Sequence, residues 1–433
     1  MGTLYRLPLK QSIGVAATPV VAAGQRVRRG ALLAEPQGLG ALLHASVSGV
    51  IHAVTESFID IEADAIQGTD FEPLPRCGGI VDMVKAAGIC GMGGAGFPTH
   101  IKLGANLEGG TVIVNAVECE PVLNHNITQI ETAPAKVYRG LLLAMQATNA
   151  AHGIVAIKAK NKAAVAALRD VVRAEDGVRI AELPDRYPMG EERAIIRETL
   201  GKLLKVDELP STAGVVIINA ETVSRVAEAV DELRPVISKN LTLAGKPVKG
   251  KTPMVFMDVP IGTPVRDLIE EAGGLDGEYG EIIIGGPFTG RHGDIDDVVV
   301  KTTGGILLRE GCDCETKPMG ILVCACGPNG LRMREIAKEM NATVVGVQVC
   351  KQAILVKGAL KCENPGICPG QVGKMTELKE AGAEALLIGN CFDCTQEIVA
   401  EAPGLGLTIH HVTDATMRSM GLPVVRGFPD GGK

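Results

Sequence analysis

Gly91-Met-Gly93-Gly94-Ala-Gly96-Phe97-Pro98-Thr99, followed by Asn115-Ala-Val-Glu118-Cys119-Glu120-Pro121, is the stretch that decides the fold of this chain. The glycines form a turn, Pro98 and Thr99 open a helix, and such a turn leaves bare backbone N–H groups where a phosphate can sit. Between the two segments the apolar run 111–114 reads as a buried strand that delivers the Asn/Glu cluster to the same edge. Glycine runs most often mark plain turns; what lifts this one is the order of its two halves. Together they read as a cradle for a phosphorylated cofactor. Lys102, on the first helical turn, adds a cation beside that ligand.

Working outward, residues 153–158 and 214–218 read as strands and 136–147, 162–172, 190–200 and 222–230 as helices. Such alternation implies a parallel sheet covered on both faces, with ligands at the carboxyl ends of its strands. Asn115 and Asn219 each follow such a strand directly.

The segments 91–103 and 115–121 resemble the FMN-binding loops of the flavoprotein subunit of NADH:quinone oxidoreductases and of RnfC-type electron-transport subunits. Tyr187-Pro-Met-Gly190-Glu191-Glu192-Arg193 is similar to the Gly-Glu-Glu turn of that family, and Ile218-Asn219-Ala220-Glu221-Thr222 to its Asn-Glu-Thr helix start. The resemblance implies FMN held by Gly91, Gly93, Gly94 and Lys102, with Asn115, Asn219 and Ala220 lining the flavin and Gly190 and Glu191 in the turn beside it. It implies that Glu118, Glu120 and Glu192 face NADH, where carboxylates disfavour the extra phosphate of NADPH. Two positions depart from the pattern: Val117 replaces an Asp, and Leu103 stands where the quinone-oxidoreductase family has Trp.

The same resemblance orders the chain as a multidomain α/β protein. Residues 1–75 hold short apolar runs punctuated by glycine and look like the barrel-sandwich, lipoyl-like β module of RnfC-type subunits, without the lipoyl Lys. A Rossmann-like FMN domain follows at 76–235, a β-grasp (SLBB-like) domain at 236–305, read as a docking module without chemistry, and a Cys-rich α/β redox domain at 306–433.

With 46% hydrophobic residues, 21% charged residues and a net charge of −7, the chain is globular and offers no broad basic face, which argues against nucleic acid as a partner. No run approaches the roughly 18–20 apolar residues of a spanning helix, and residues 1–8 lack a signal-peptide core, so a cytoplasmic protein is expected. Twelve Cys in that setting indicate thiols, metal ligands or redox dithiols rather than a disulfide framework. The eight His are dispersed without ligand spacing.

Nine of the twelve Cys lie after residue 311. If strands 319–323, 344–349 and 385–389 are parallel, Cys324, Cys326, Cys350, Cys391 and Cys394 emerge at one sheet edge, with Cys362 and Cys368 in a loop above it. Cys391-x-x-Cys394 also opens a helix, whose dipole lowers a thiolate pKa, so Cys391 and Cys394, with Cys324 and Cys326, are the candidate redox residues. Three chemistries fit this pattern: an iron–sulfur cluster or a structural zinc held by some of Cys324, Cys326, Cys350, Cys362, Cys368, Cys391 and Cys394, or a dithiol relay. No C-x2-C-x2-C-x3-C-P run is present, although RnfC-type subunits carry two. With this tail, the whole chain resembles the proline-reductase-associated electron-transfer proteins of amino-acid-fermenting bacteria.

That resemblance implies an FMN-dependent NADH:acceptor oxidoreductase passing electrons through its cysteines to D-proline reductase or another partner reductase, as a homo-oligomer or complex subunit. Two alternatives are a non-catalytic adaptor that docks a reductase and a subunit of an Rnf-type ion-translocating complex.

Overall fold

The computed structural model describes residues 3–389 and 391–426. Its first seven strands, β1 (Leu4–Pro8), β2 (Ala17–Pro19), β3 (Arg26–Val27), β4 (Leu32–Pro36), β5 (Leu43–His44), β6 (Gly49–Val54) and β7 (Phe58–Ala63), form two antiparallel sheets, ordered β1-β7-β6-β3 and β2-β4-β5. Leu7, Leu33, Ile51, Ile59 and Ile61 fill the space between them, and this core continues into that of the next unit through Met83, Val84 and Leu103.

The central sheet consists of β8 (Thr111–Ala116), β9 (His152–Lys158), β10 (Val178–Leu183) and β11 (Val215–Asn219), all parallel, in the order β10-β9-β8-β11. Both faces are covered, so its inner strands are continuous apolar runs: Val112 and Val114 face one core while Ile113 faces the other. Helices α1 (Ile80–Ala86), α2 (Thr99–Leu103), α3 (His125–Thr132), α4 (Pro134–Thr148), α5 (Lys162–Val171), α6 (Glu192–Leu200) and α7 (Ala220–Asp231) supply the covering layers. Three of these elements, the seven-residue α1, β10 and α3, lie outside the strands and helices expected from the sequence. β10 is an edge strand with Arg179 exposed, and α3 (His-Asn-Ile-Thr-Gln-Ile-Glu-Thr) carries too few apolar residues to show a helical period.

Next, β12 (Ser238–Ala244), β13 (Met254–Pro260), β14 (Glu281–Ile284), β15 (Arg291–Gly293) and β16 (Gly305–Arg309) build a five-stranded mixed sheet around α8 (Val265–Glu271). β16 lies in the middle, parallel to β12 and antiparallel to β14, so this sheet runs on to Arg309. Buried ions fasten it to the central unit. Glu221 of α7 pairs with Lys239 of β12, both fully buried, while Arg225 reaches Glu228 (2.8 Å) and Asp258 (3.0 Å).

The last sheet, β17 (Met319–Val323), β18 (Val344–Val349), β21 (Ala385–Ile388) and β22 (Thr408–His411), is wholly parallel in the order β18-β17-β21-β22. It is flanked by α9 (Gly330–Glu339), α10 (Val372–Glu380), α11 (Phe392–Glu401) and α12 (Asp414–Ser419). A separate hairpin, β19 (Ala353–Val356) and β20 (Ala359–Cys362), projects between β18 and α10. Arg309 locks this unit to the preceding sheet by bridging Glu281 of β14 and Glu339 of α9, each at 2.8 Å. Among the described residues, no helix is long and apolar enough to cross a membrane.

Candidate functional site

The glycine loop is closed by its own backbone: Gly91 N–H donates to Phe97 O and Gly96 N–H to Gly91 O, both at 2.9 Å. Gly94 has φ +105°, and a Cβ there would project into open space. A Cβ on Gly93 would lie 2.9 Å from Asn219 Nδ2, so bare backbone here lets Asn219 approach. Asn219 ends β11 and caps α7, its Oδ1 accepting from the N–H groups of Glu221 (2.9 Å) and Thr222 (3.2 Å). Thr222 in turn accepts from Met92 N–H (2.9 Å), tying the loop to the helix start. Asn115 stands beside Asn219 in register on β8 and donates to Gly190 O (3.0 Å).

The Gly190-Glu191-Glu192 turn opens α6, with the Glu191 carboxylate capping the N–H groups of Arg193 (2.8 Å) and Ala194 (2.9 Å). Gly190 N–H donates to Cys119 Sγ at 2.7 Å, and a Cβ at 190 would lie 2.9 Å from that sulfur, so glycine is required. Lys102 donates to Glu192 (2.8 Å) and to Ile217 O (3.1 Å).

These segments enclose two cavities, of about 590 and 330 Å³, that share Gly93, Asn115, Gly190, Glu191, Glu192 and Asn219 as walls. The smaller also meets Gly91, Lys102 and Thr222; the larger is completed by Glu118, Glu120, Gly286, Thr289, Cys326 and Cys362. Their size is that of a cofactor cleft, roughly 300–1,000 Å³. The residues fit FMN: open glycine backbone and a lysine suit a phosphate, and the half-apolar larger cavity suits a flat ring.

The carboxylates are engaged differently from one another. Glu120 reaches across to the five-stranded mixed sheet and accepts from the N–H groups of Phe288 (2.7 Å) and Thr289 (2.9 Å); burial pushes it up to about 7. It thus clasps the Gly286–Gly290 turn as well as lining the cavity. Glu118, also raised by burial, accepts from Glu120 N–H (3.1 Å) and Asn126 (3.2 Å). Ala220, expected against the flavin, has its side chain wholly in the core beneath α7 and lines neither cavity. Leu103 is likewise fully buried in that core, so its departure from Trp falls in packing rather than at the mouth.

The cysteine domain forms a wall of the larger cavity. Helix α6 holds it there, with Arg193 donating to the carbonyls of Cys362 and Glu363 (3.2 Å to the latter) and Arg197 to Asn364 Oδ1 (2.8 Å) and Pro365 O (2.7 Å). Tyr187 donates to Cys326 O and packs edge-on against Phe288, ring centroids 4.5 Å apart. None of these interdomain contacts has a local sequence signal.

Cys324, Cys326, Cys350, Cys391 and Cys394 follow the ends of β17, β18 and β21 as the topology requires. Cys362 belongs to β20 rather than to a free loop. The Cys326 thiol contacts both Cys324 and Cys362, which pushes it up and holds the other two down. Cys394 donates to Cys368, holding Cys368 down to about 6, and Gln371 donates to both Cys350 and Cys368 at 3.3 Å. The thiolate character expected of Cys391-x-x-Cys394 therefore lies on Cys368. Cys391 is raised by burial, and Cys394 is raised by the hydrogen bond it donates and by burial, so the dipole of α11 is outweighed. Among the described residues, no three His, Cys, Asp or Glu converge to hold a single metal ion.

Comparison with known proteins accords with this geometry. Residues 84–228 match the Nuo51 FMN-binding domain and residues 2–67 the RnfC barrel sandwich hybrid domain. The C subunit of the Na(+)-translocating ferredoxin:NAD(+) oxidoreductase complex of Acetobacterium woodii is 32% identical over 321 residues, covering 70% of this chain and 72% of that one. The cobalamin reductase PduS of Salmonella typhimurium is 39% identical over 230 residues, 53% of this chain and 49% of its own length. In Pseudomonas aeruginosa, the C subunit of the ion-translocating oxidoreductase complex is 33% identical over 345 residues, 75% of this chain, which spans only 44% of that protein. A barrel-sandwich start, an FMN-binding domain and a third of the residues shared with the Acetobacterium protein over most of its length identify the chain as a member of the RnfC-like family of electron-transfer oxidoreductase subunits.

Proposed function

We propose that this protein is an FMN-dependent electron-transfer flavoprotein that accepts electrons from NADH and passes them through its C-terminal cysteines to a partner reductase. One observation carries the reading: the cavity walled by the glycine loop, Asn115 and Asn219 is also walled by Cys326 and Cys362. A two-electron cofactor in that cavity would stand directly against thiols. The tail's likeness to proline-reductase-associated proteins makes D-proline reductase the acceptor of choice.

Bound flavin supplies hydride-accepting chemistry, and the protein supplies position and electrostatics. In this reading the N–H groups of Gly93, Gly94 and Ala95 hold the phosphate, with Lys102 adding a cation that Glu192 keeps oriented. Asn115 and Asn219 fix the edges of the cleft. Of the carboxylates expected to face the nucleotide, Glu118 and Glu192 in the cleft wall disfavour a further phosphate on the electron donor, selecting NADH over NADPH, while Glu120 is taken up by the Phe288 and Thr289 N–H groups. Tyr187, Arg193 and Arg197 keep the cysteine domain closed on the cleft and exclude water from it.

The test is the absorbance of anaerobically purified protein supplied with FMN, before and after NADH. Flavin bands that bleach support the reading. Flavin that binds but stays oxidised removes NADH as donor, and no flavin binding sinks the proposal. Likeness to the Acetobacterium protein over 70% of the chain favours a second reading, a subunit of an Rnf-type complex, which co-purification with a membrane complex would support.

A further inference from the structure

Cys326 and Cys362 are 36 positions apart, one beyond the end of β17 and one closing β20, yet both line the larger cavity and their thiols touch. Each is fixed from across the cleft: Tyr187 donates to the Cys326 carbonyl and Arg193 to the Cys362 carbonyl. Cys391 and Cys394 line neither cavity and lie in the apolar core of the domain with Leu322, Met375 and Ile388. The cysteine pair open to the cleft is therefore not the one that the C-x-x-C spacing suggests.

Resting on the reading of the cavity as a flavin site, we propose that Cys326 and Cys362 form a reversible disulfide that is the first electron acceptor beside the cofactor. Closing the bond joins the two sulfurs and releases two electrons and two protons. Opening it takes up two of each and restores two thiols, the reductant being the reduced flavin or, in the test below, glutathione. Cys324 is the next thiol inward: it contacts Cys326, whose N–H donates to its sulfur at 3.4 Å. Attack of the Cys362 thiolate on the Cys326 sulfur breaks a 324–326 bond, forms the 326–362 bond and releases Cys324 as thiolate, so the oxidised pair moves out to the cofactor and the reducing equivalents move inward, with electrons conserved.

The experiment uses the anaerobically purified full-length protein without added FMN, equilibrated across glutathione redox buffers, acid-quenched, alkylated and mapped by tandem mass spectrometry. The expected result is a Cys326–Cys362 cross-link that appears with a single midpoint, vanishes in C326S and C362S, and persists in C391S. Urea denaturation followed by circular dichroism reports whether each variant has folded, and FMN titration of the wild type, followed by fluorescence, reports whether the flavin binds. Absence of that cross-link at every potential overturns the proposal, as does stoichiometric iron and sulfide in the isolated protein that C326S loses. A cross-link in a protein that fails to bind FMN upholds the thiol pair and rejects the flavin reading instead.

Discussion

Lys239→Met tests the fastening between the flavin unit and the five-stranded mixed sheet. Lys239 and Glu221 are both fully buried, and the ammonium has two acceptors, the Glu221 carboxylate and Asn240 O at 2.6 Å. Breaking such a pair by removing one partner costs about 3–5 kcal/mol, because a charge is left buried without its counterion. Here Glu221 would keep Arg225 (3.3 Å) and Asn240 N–H (2.8 Å), so the loss belongs at the low end, about 3 kcal/mol. Burial already pushes Lys239 down despite its partner, which indicates that the pair adds little net stability over a neutral one. Accordingly, E221Q/K239M is expected to regain most of the loss, ending within about 1 kcal/mol of the wild type, since Gln still accepts from Asn240 and no charge is stranded. Urea denaturation of the four proteins, followed by circular dichroism, measures the coupling directly. A K239M loss below about 1 kcal/mol, or single-mutant effects that simply add, would refute this account of the buried network.

Four further outcomes are expected. Gly94→Ala adds a Cβ that projects into the cavity at φ +105°: FMN affinity falls at least about tenfold, with about 1–2 kcal/mol of backbone strain, whereas Gly24→Ala (φ +82°, also unobstructed) brings similar strain and leaves FMN binding unchanged. Glu120 is held up near 7 against an ordinary 4.5, so the folded state binds its proton more tightly than the unfolded chain does. The stability this contributes is full below about pH 4.5 and is lost as pH rises through 7; E120Q removes that slope, so the stability difference between wild type and variant should change by about 2–3 kcal/mol between pH 5 and 8, and a flat difference contradicts the assignment. Cys368 should be the thiol alkylated fastest at pH 7, with a midpoint near 6 that rises in C394A; a midpoint that C394A leaves in place would show that Cys394 is not its donor. Arg193→Ala removes two charge-assisted hydrogen bonds to the 362–363 backbone, each worth about 1.5–3 kcal/mol, so tryptic cleavage after Lys361 should accelerate at least about tenfold while FMN still binds.

The sequence by itself determined what depends on local chemistry. The parallel sheets were legible because strands covered on both faces are continuous apolar runs, as in residues 111–114 and 215–218. The cofactor loops were legible because open backbone at a helix start demands glycine, and because Asn219 and Glu191 are caps. Where these signals weaken the reading failed: at the edge strand β10, at the polar helix α3, and at the β19–β20 hairpin, although Lys357 and Gly358, both with positive φ, carry the signal of a tight two-residue turn. Tertiary structure alone decided which thiols meet, since Cys326 follows β17 and Cys362 closes β20 and no spacing rule brings them together. It decided that Glu120 clasps the five-stranded mixed sheet, that Ala220 and Leu103 belong to the core, and that thiolate character falls on Cys368 rather than on the Cys391-x-x-Cys394 helix start. The physical reason is common to all of these: a pKa or a thiol contact is set by burial and by neighbours far along the chain, whereas a helix cap or a buried strand is set within a few residues.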